Sequence, residues 1–466
     1  MNLLIVFVIL TVLMISDAGN SQPVDNVWFR GFAILATLST VPAFAVFQTV
    51  LATRRLRSED YEEDKIQSML NRLTVYHSGV WLVSSLCVVY LFQWQKIVRG
   101  NWQLDRFPLL DEAMIIAPII LSLIVSWFIF FDIQNVFLSD NQKVRIRERL
   151  SYVSLRVRVY LLVGLIPILV AFATRDCLSY FENSVSMKLL LTITGLSLLL
   201  IFFPFFMLLV WRTSSLGDTE LGIRLQDYCR DLHLKVGQVR RWDTGGAIIN
   251  ALVAGVLPYF RIILFSDGLI SKFNDSQIRA ILRHEAGHIR RWHLASRMVF
   301  VVLPLVLFAA CHWISGATPF SVESFAVTYS ISESLVMPGI IFLYATYLTV
   351  VLVWLSWQME YDADLYAVTE QADQPRTKGL VTVCPQAVDE TMEALYRFAE
   401  LMPSQVDRKT FWHPTLRKRL LRLQQIKRDP QLAQLNSDLF VHKQFLLFAA
   451  IVISIVSLYI LTNLVG

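Results

Sequence analysis

The chain has 466 residues and a net charge of +5, and it is 55% hydrophobic and 12% aromatic. With a mean hydropathy of +0.51, it falls outside the range of ordinary soluble domains. The small positive balance gives no support to nucleic-acid binding, and five cysteines without paired spacing imply no disulfide framework or cysteine metal site.

The segment 3–16 is apolar and has the length of either a first span or a signal-peptide core, with Ser16-x-Ala18 as a small-residue cleavage site but no basic residue ahead of it. Long uncharged runs follow at 31–53, 77–95, 113–131, 159–174, 189–210, 298–322, 337–357 and 444–466. Each is close to the ~20 residues a helix needs to cross a bilayer. The expected fold class is therefore a mainly α-helical polytopic membrane protein with 8–9 transmembrane helices. Lysine and arginine are dense in "TRRLRSEDYEEDKIQSMLNRLT" and "DNQKVRIRERLSYVSLRVR" but sparse in the loops between, and 318–336 has none. This alternation predicts that 212–297 and 358–443 lie together on the cytosolic side. The predicted organisation is an N-terminal membrane region at 1–211, a cytosolic half at 212–297 and a transmembrane hairpin at 298–357. A second cytosolic half at 358–443 and a C-terminal span at 444–466 complete it. The two halves together make one split cytosolic domain.

In the first half, "FNDSQIRAILRHEAGHIRRWH" reads as a helix, with Asn274 as N-cap and Gln277 three residues on, close to a capping box. At ~100° per residue, Ile278, Ile281, Leu282, Ile289 and Trp292 form an apolar stripe, and Arg279, Arg283 and Arg290 face the other way. Glu285 falls in the middle of that stripe, with His284 and His288 along its edge. Zinc chemistry accounts for an acid in such a place. Histidines at i and i+4 point the same way and can share one ion, and the acid beside the first reaches the water that the metal activates. His284 and His288 are the expected zinc ligands and Glu285 the general base. His293 is one residue short of the metzincin spacing and reads as a helix-end histidine.

From Leu294 to Val322 there is no acid, so the third ligand must come from further on. "WLSWQMEYDADLYAVTEQA" extends the span 337–357 as a helix and places Glu360 and Asp364 one turn apart on one face. Ala363 and Ala367 would allow close packing. Glu360 is the expected third ligand, and Asp364 the acceptor for the free ring N–H of a ligand histidine. Asp362 points elsewhere and reads as solvated.

"ILRHEAGHI" followed after a hairpin by "EYDADLYAV" resembles the membrane zinc metallopeptidases that include HtpX and the type I CAAX prenyl proteases. "NALVAG" with "RIILFSDGLI" is similar to the two strands that precede the metal helix in that family, and "HPTLRKRLLRL" to its late His-Pro…Arg segment. The resemblance covers about 240–297 and 354–425 and implies a zincin-type α+β metalloprotease domain with one Zn2+ and a protein or peptide substrate. It places Asn250 and Ala251 on an edge strand that an extended peptide would lengthen. It also puts His413 and Arg419 near the cleft, where they could stabilise an oxyanion. The expected enzyme is an integral-membrane endopeptidase, with a CAAX-type processing protease as the alternative. A sensor or transporter with an inert zinc domain is the reading from another class. The scarcity of ionisable residues within the spans weighs against transport.

Overall fold

The computed structural model describes residues 5, 8–9, 12–13, 22–58, 63–138, 146–179, 185–217, 219–315, 333–369, 382–410 and 412–465. Most of the apolar segment 3–16 and the tip of the hairpin predicted at 298–357 lie outside these residues. The chain divides into two compact units, Met1–Trp211 and Arg212–Gly466.

The first unit is helical. Among the described residues, four helices are long and apolar enough to cross a membrane: Val27–Leu56, Arg72–Tyr90, Leu110–Ile133 and Ile146–Cys177. They overlap the first four of the runs that follow segment 3–16. Ile201–Val210, His293–Pro304 and His442–Ser457 are apolar but shorter. The predicted run 77–95 is corrected at its end: the helix stops at Tyr90, and Gln93 takes a left-handed φ of 54° that starts a new direction. Trp81, fully buried, donates its indole N–H to the Ile119 carbonyl at 3.0 Å, which ties two spans together without leaving an unmet donor.

The second unit carries a four-stranded sheet: β1 (Thr213–Ser215), β2 (Gln238–Trp242), β3 (Ala251–Ala254) and β4 (Ile262–Ser266). The order is β1-β2-β4-β3, with β2 and β4 parallel and both outer pairs antiparallel. All five residues of β4 are buried, as expected for a central strand made of Ile, Ile, Leu, Phe and Ser. β3 is left as an edge. Its entry is fixed by Asp267, whose carboxylate accepts from the backbone N–H groups of Thr244, Gly245, Gly246 and Gly268. Against the opposing effect of burial, a bond from the Thr244 hydroxyl together with these backbone bonds holds the Asp267 carboxyl below its ordinary pKa.

Two helices make the most extensive helix–helix contact of this unit. Asp275–Arg290 opens with a complete capping box between Asn274 and Gln277. Glu333–Ala367 is one continuous helix. They meet where Gly287 lies against Ala363; a Cβ at Gly287 would sit 2.9 Å from the Ala363 Cα. The absence of a side chain is what lets the two backbones approach. Of the predicted stripe, Ile278, Ile281, Leu282 and Ile289 are buried, but Trp292 is 61% exposed. The reason is backbone geometry: the helix ends at Arg290, and Trp292 turns left-handed with a φ of 57°. His293 then begins the next helix, His293–Ser315.

Candidate metal centre and peptide cleft

His284 and Glu285 are both buried, on the side of the helix Asp275–Arg290 that faces the long helix. Glu360 comes from that long helix and is 2% exposed. The Nε2 atoms of His284 and His288 lie 3.2 Å apart, and the Glu360 carboxylate is 3.5 Å from the first and 3.3 Å from the second. One donor atom from each of the three falls within 4.8 Å of the others, a grouping that could hold a metal ion.

Several features suit a cation at that point. The Nδ1 of His284 is 2.9 Å from Asp364, and the Nδ1 of His288 is 2.8 Å from the Nδ1 of His293. With both Nδ1 atoms engaged, the Nε2 lone pairs are turned toward each other and toward Glu360. Glu360 Oε2 is buried and accepts no aligned hydrogen bond, although His413 Nδ1 lies 2.9 Å away. An orphaned carboxylate oxygen facing two bare imidazole nitrogens is a donor set that zinc satisfies.

The electrostatics place concentrated negative charge here, which favours a proton on His284 that a bound metal ion would displace. Burial raises the Glu360 pKa, but the nearby imidazoles of His413, His284 and His288 outweigh it and hold the carboxyl well below its usual range. For His284, burial and the Arg419 charge push downward, yet bonds to Asp364 and Glu360 lift it to about 9. Asp364 is likewise buried but held low, chiefly by the Arg419 charge and its bonds. The pocket is built around ionised carboxylates.

Asp362 departs from the expectation of a solvated charge. It is 3% exposed, and its Oδ2 lies 3.1 Å from the Nε2 of His293, which is itself fully buried. Burial pushes the His293 imidazole down to about 4, so it stays neutral and can accept from His288 while donating to Asp362. The helix-end histidine is thus a link between His288 and a buried acid. The available signal was an acid set between Tyr361 and Ala363 in a mostly apolar helix, but its partner lies 69 residues away in sequence. Asp362→Asn is expected to lower zinc affinity about ten- to a hundredfold, measured by titration against a competing chelator; unchanged affinity would exclude this support.

Beside the three donors lies a cavity of about 430 Å3 lined by Asn250, Ala251, Glu285, His413 and Arg419, among others. Ala251 opens edge strand β3, while Asn250 sits one residue before it and exchanges hydrogen bonds with Ser266. His413 is half-exposed beside Glu360. Arg419 is committed differently from an open oxyanion donor: its Nε and one terminal nitrogen grip both Asp364 oxygens at 2.8 and 2.6 Å. That fork fixes the acid which orients His284.

Residues 219–427 match the model of peptidase family M48. No curated protein sequence matches the chain. Among solved structures, the crystal structure of S. mikatae Ste24p is similar over 86% of this chain and 100% of that one, at 15% identity and a TM-score of 0.46. The matched segment contains both histidines, Glu285 and Glu360, and by this match the protein is a zinc metalloprotease with a peptidase family M48 domain at residues 219–427.

Proposed function

We propose that this protein is an integral-membrane endopeptidase that hydrolyses peptide bonds in membrane or membrane-associated proteins. His284, His288 and Glu360 hold its zinc. The convergence of these three donors from two helices, next to a cavity that also contains Glu285, carries the reading. Zinc, when bound, polarises the scissile carbonyl and makes a water acidic enough to attack near neutral pH.

The chain's own residues do the rest. The substrate lies extended along β3, whose free edge offers backbone donors and acceptors beside the cavity. Such pairing reads main chain more than side chain. Glu285 takes a proton from the attacking water and passes it to the leaving amine as the C–N bond breaks. Asp364 orients His284, Arg419 holds Asp364, and His293 with Asp362 does the same for His288. His413, at the mouth beside Glu360, is placed to donate to the tetrahedral oxyanion. The topology that fits is eight to nine spans with 212–297 and 358–443 on the cytosolic side, supported by the alternation of basic and non-basic loops.

Removal of zinc tests the assignment. A purified, detergent-solubilised preparation stripped with a chelator is expected to lose cleavage of an unfolded membrane protein and to regain it with one equivalent of Zn2+ per chain. Cleavage that persists in the stripped protein would refute it.

A further inference from the structure

Three arginines line the cavity. Arg419 is neutralised by Asp364. Arg261 spends its guanidinium on the backbone carbonyls of Gly255, Lys235 and Val256. Arg297 differs from both. Among the described residues no carboxylate pairs with it, and its buried Nε has no hydrogen-bond partner. Its guanidinium carbon lies 5.6 Å from the centre of the Trp412 ring, which also lines the cavity. It lines the same cavity as Glu285 and Glu360, which sets it beside the reacting centre, and neither of them is within ion-pair distance of it.

A guanidinium drawn out of water without a carboxylate paired to it is costly. Here an aromatic ring lies beside it, and the residue lines the space a peptide would fill. Building on the peptidase reading above, we infer that Arg297 is a specificity residue that binds a carboxylate of the substrate close to the scissile bond. A fork-to-fork pair satisfies the unmet Nε and brings a carboxylate to ion-pair distance at once. The carboxylate is either an Asp or Glu side chain or the free C-terminus of the peptide; both present the same two oxygens. Substrates bearing it are cut in preference to neutral ones of equal length, and the edge strand remains indifferent to the side chains elsewhere.

The test uses the full-length, zinc-loaded protein and a peptide series. In one arm a single Asp is moved through the positions flanking the cleaved bond, with Asn at the same place as reference. In the other, the C-terminus is free or amidated. The parent is expected to favour one carboxylate placement by about thirtyfold in kcat/KM, and whichever arm shows the preference names the source. Arg297→Met should bring that ratio to about one, and Arg297→Lys should retain part of it. Binding of the same peptides to Glu285→Gln, which needs no turnover, should give the same ranking. A parent that cuts neutral peptides without any acidic preference, or a preference that survives in Arg297→Met protein with normal zinc content, overturns the inference. A parent that cuts no peptide at all overturns the peptidase reading beneath it.

Discussion

Glu285→Gln is expected to keep its zinc and lose cleavage by about a thousandfold or more, within the range attributed to a positioned general base. The substitution preserves shape and removes only the ability to accept a proton. Glu285 belongs to none of the three donors grouped around the metal position, so metal content should stay at one ion per chain. Zinc analysis alongside kcat/KM on an unfolded membrane substrate separates the two effects. A variant that cuts as fast as the parent would remove Glu285 from its role, and one that loses zinc would move it into the ligand set.

Glu360→Ala should act in the opposite order, on metal first. Its carboxylate is the only anionic donor of the three, and the position where it stands is buried. Breaking a buried charged pairing by deleting one partner costs about 3–5 kcal/mol, so zinc affinity should fall by about a thousandfold. Glu360→Gln keeps the volume and loses the charge; it should fall between parent and Ala. Competition with a chelator of known affinity reads this directly. At saturating zinc, residual activity in Glu360→Ala should still lie far below the parent, because two imidazoles alone do not fix the ion opposite Glu285. Unchanged metal affinity would take Glu360 out of the centre.

The parts of this architecture that were legible in the sequence are those set by short spacing. An i, i+4 histidine pair with an acid in an apolar stripe is a statement about one helix, and Asn274 with Gln277 marks where that helix starts. Glu360 and Asp364 share a face for the same reason, and both do approach the histidines. Illegible were the contacts made between distant elements. Nothing local says that His293 turns inward to His288, because the break after Arg290 depends on a left-handed Trp292. Nothing local pairs Asp362 with His293 or spends Arg419 on Asp364, 55 residues away. The strand order β1-β2-β4-β3 was hidden as well, since sheet neighbours are chosen by burial across the whole unit.

The unbroken helix Glu333–Ala367 makes Glu360 the tip of a lever. A 20-residue length of such a rod spans ~30 Å, so a tilt of about 4° at its far end swings the tip by about 2 Å, as much as a whole zinc–oxygen bond. Because Glu360 sits far along this rod, retention of the ion demands that it be clamped near its working end. The contact of Gly287 with Ala363, one turn from the carboxylate, is that clamp. Whatever loosens it should be felt as metal loss before it is felt as unfolding.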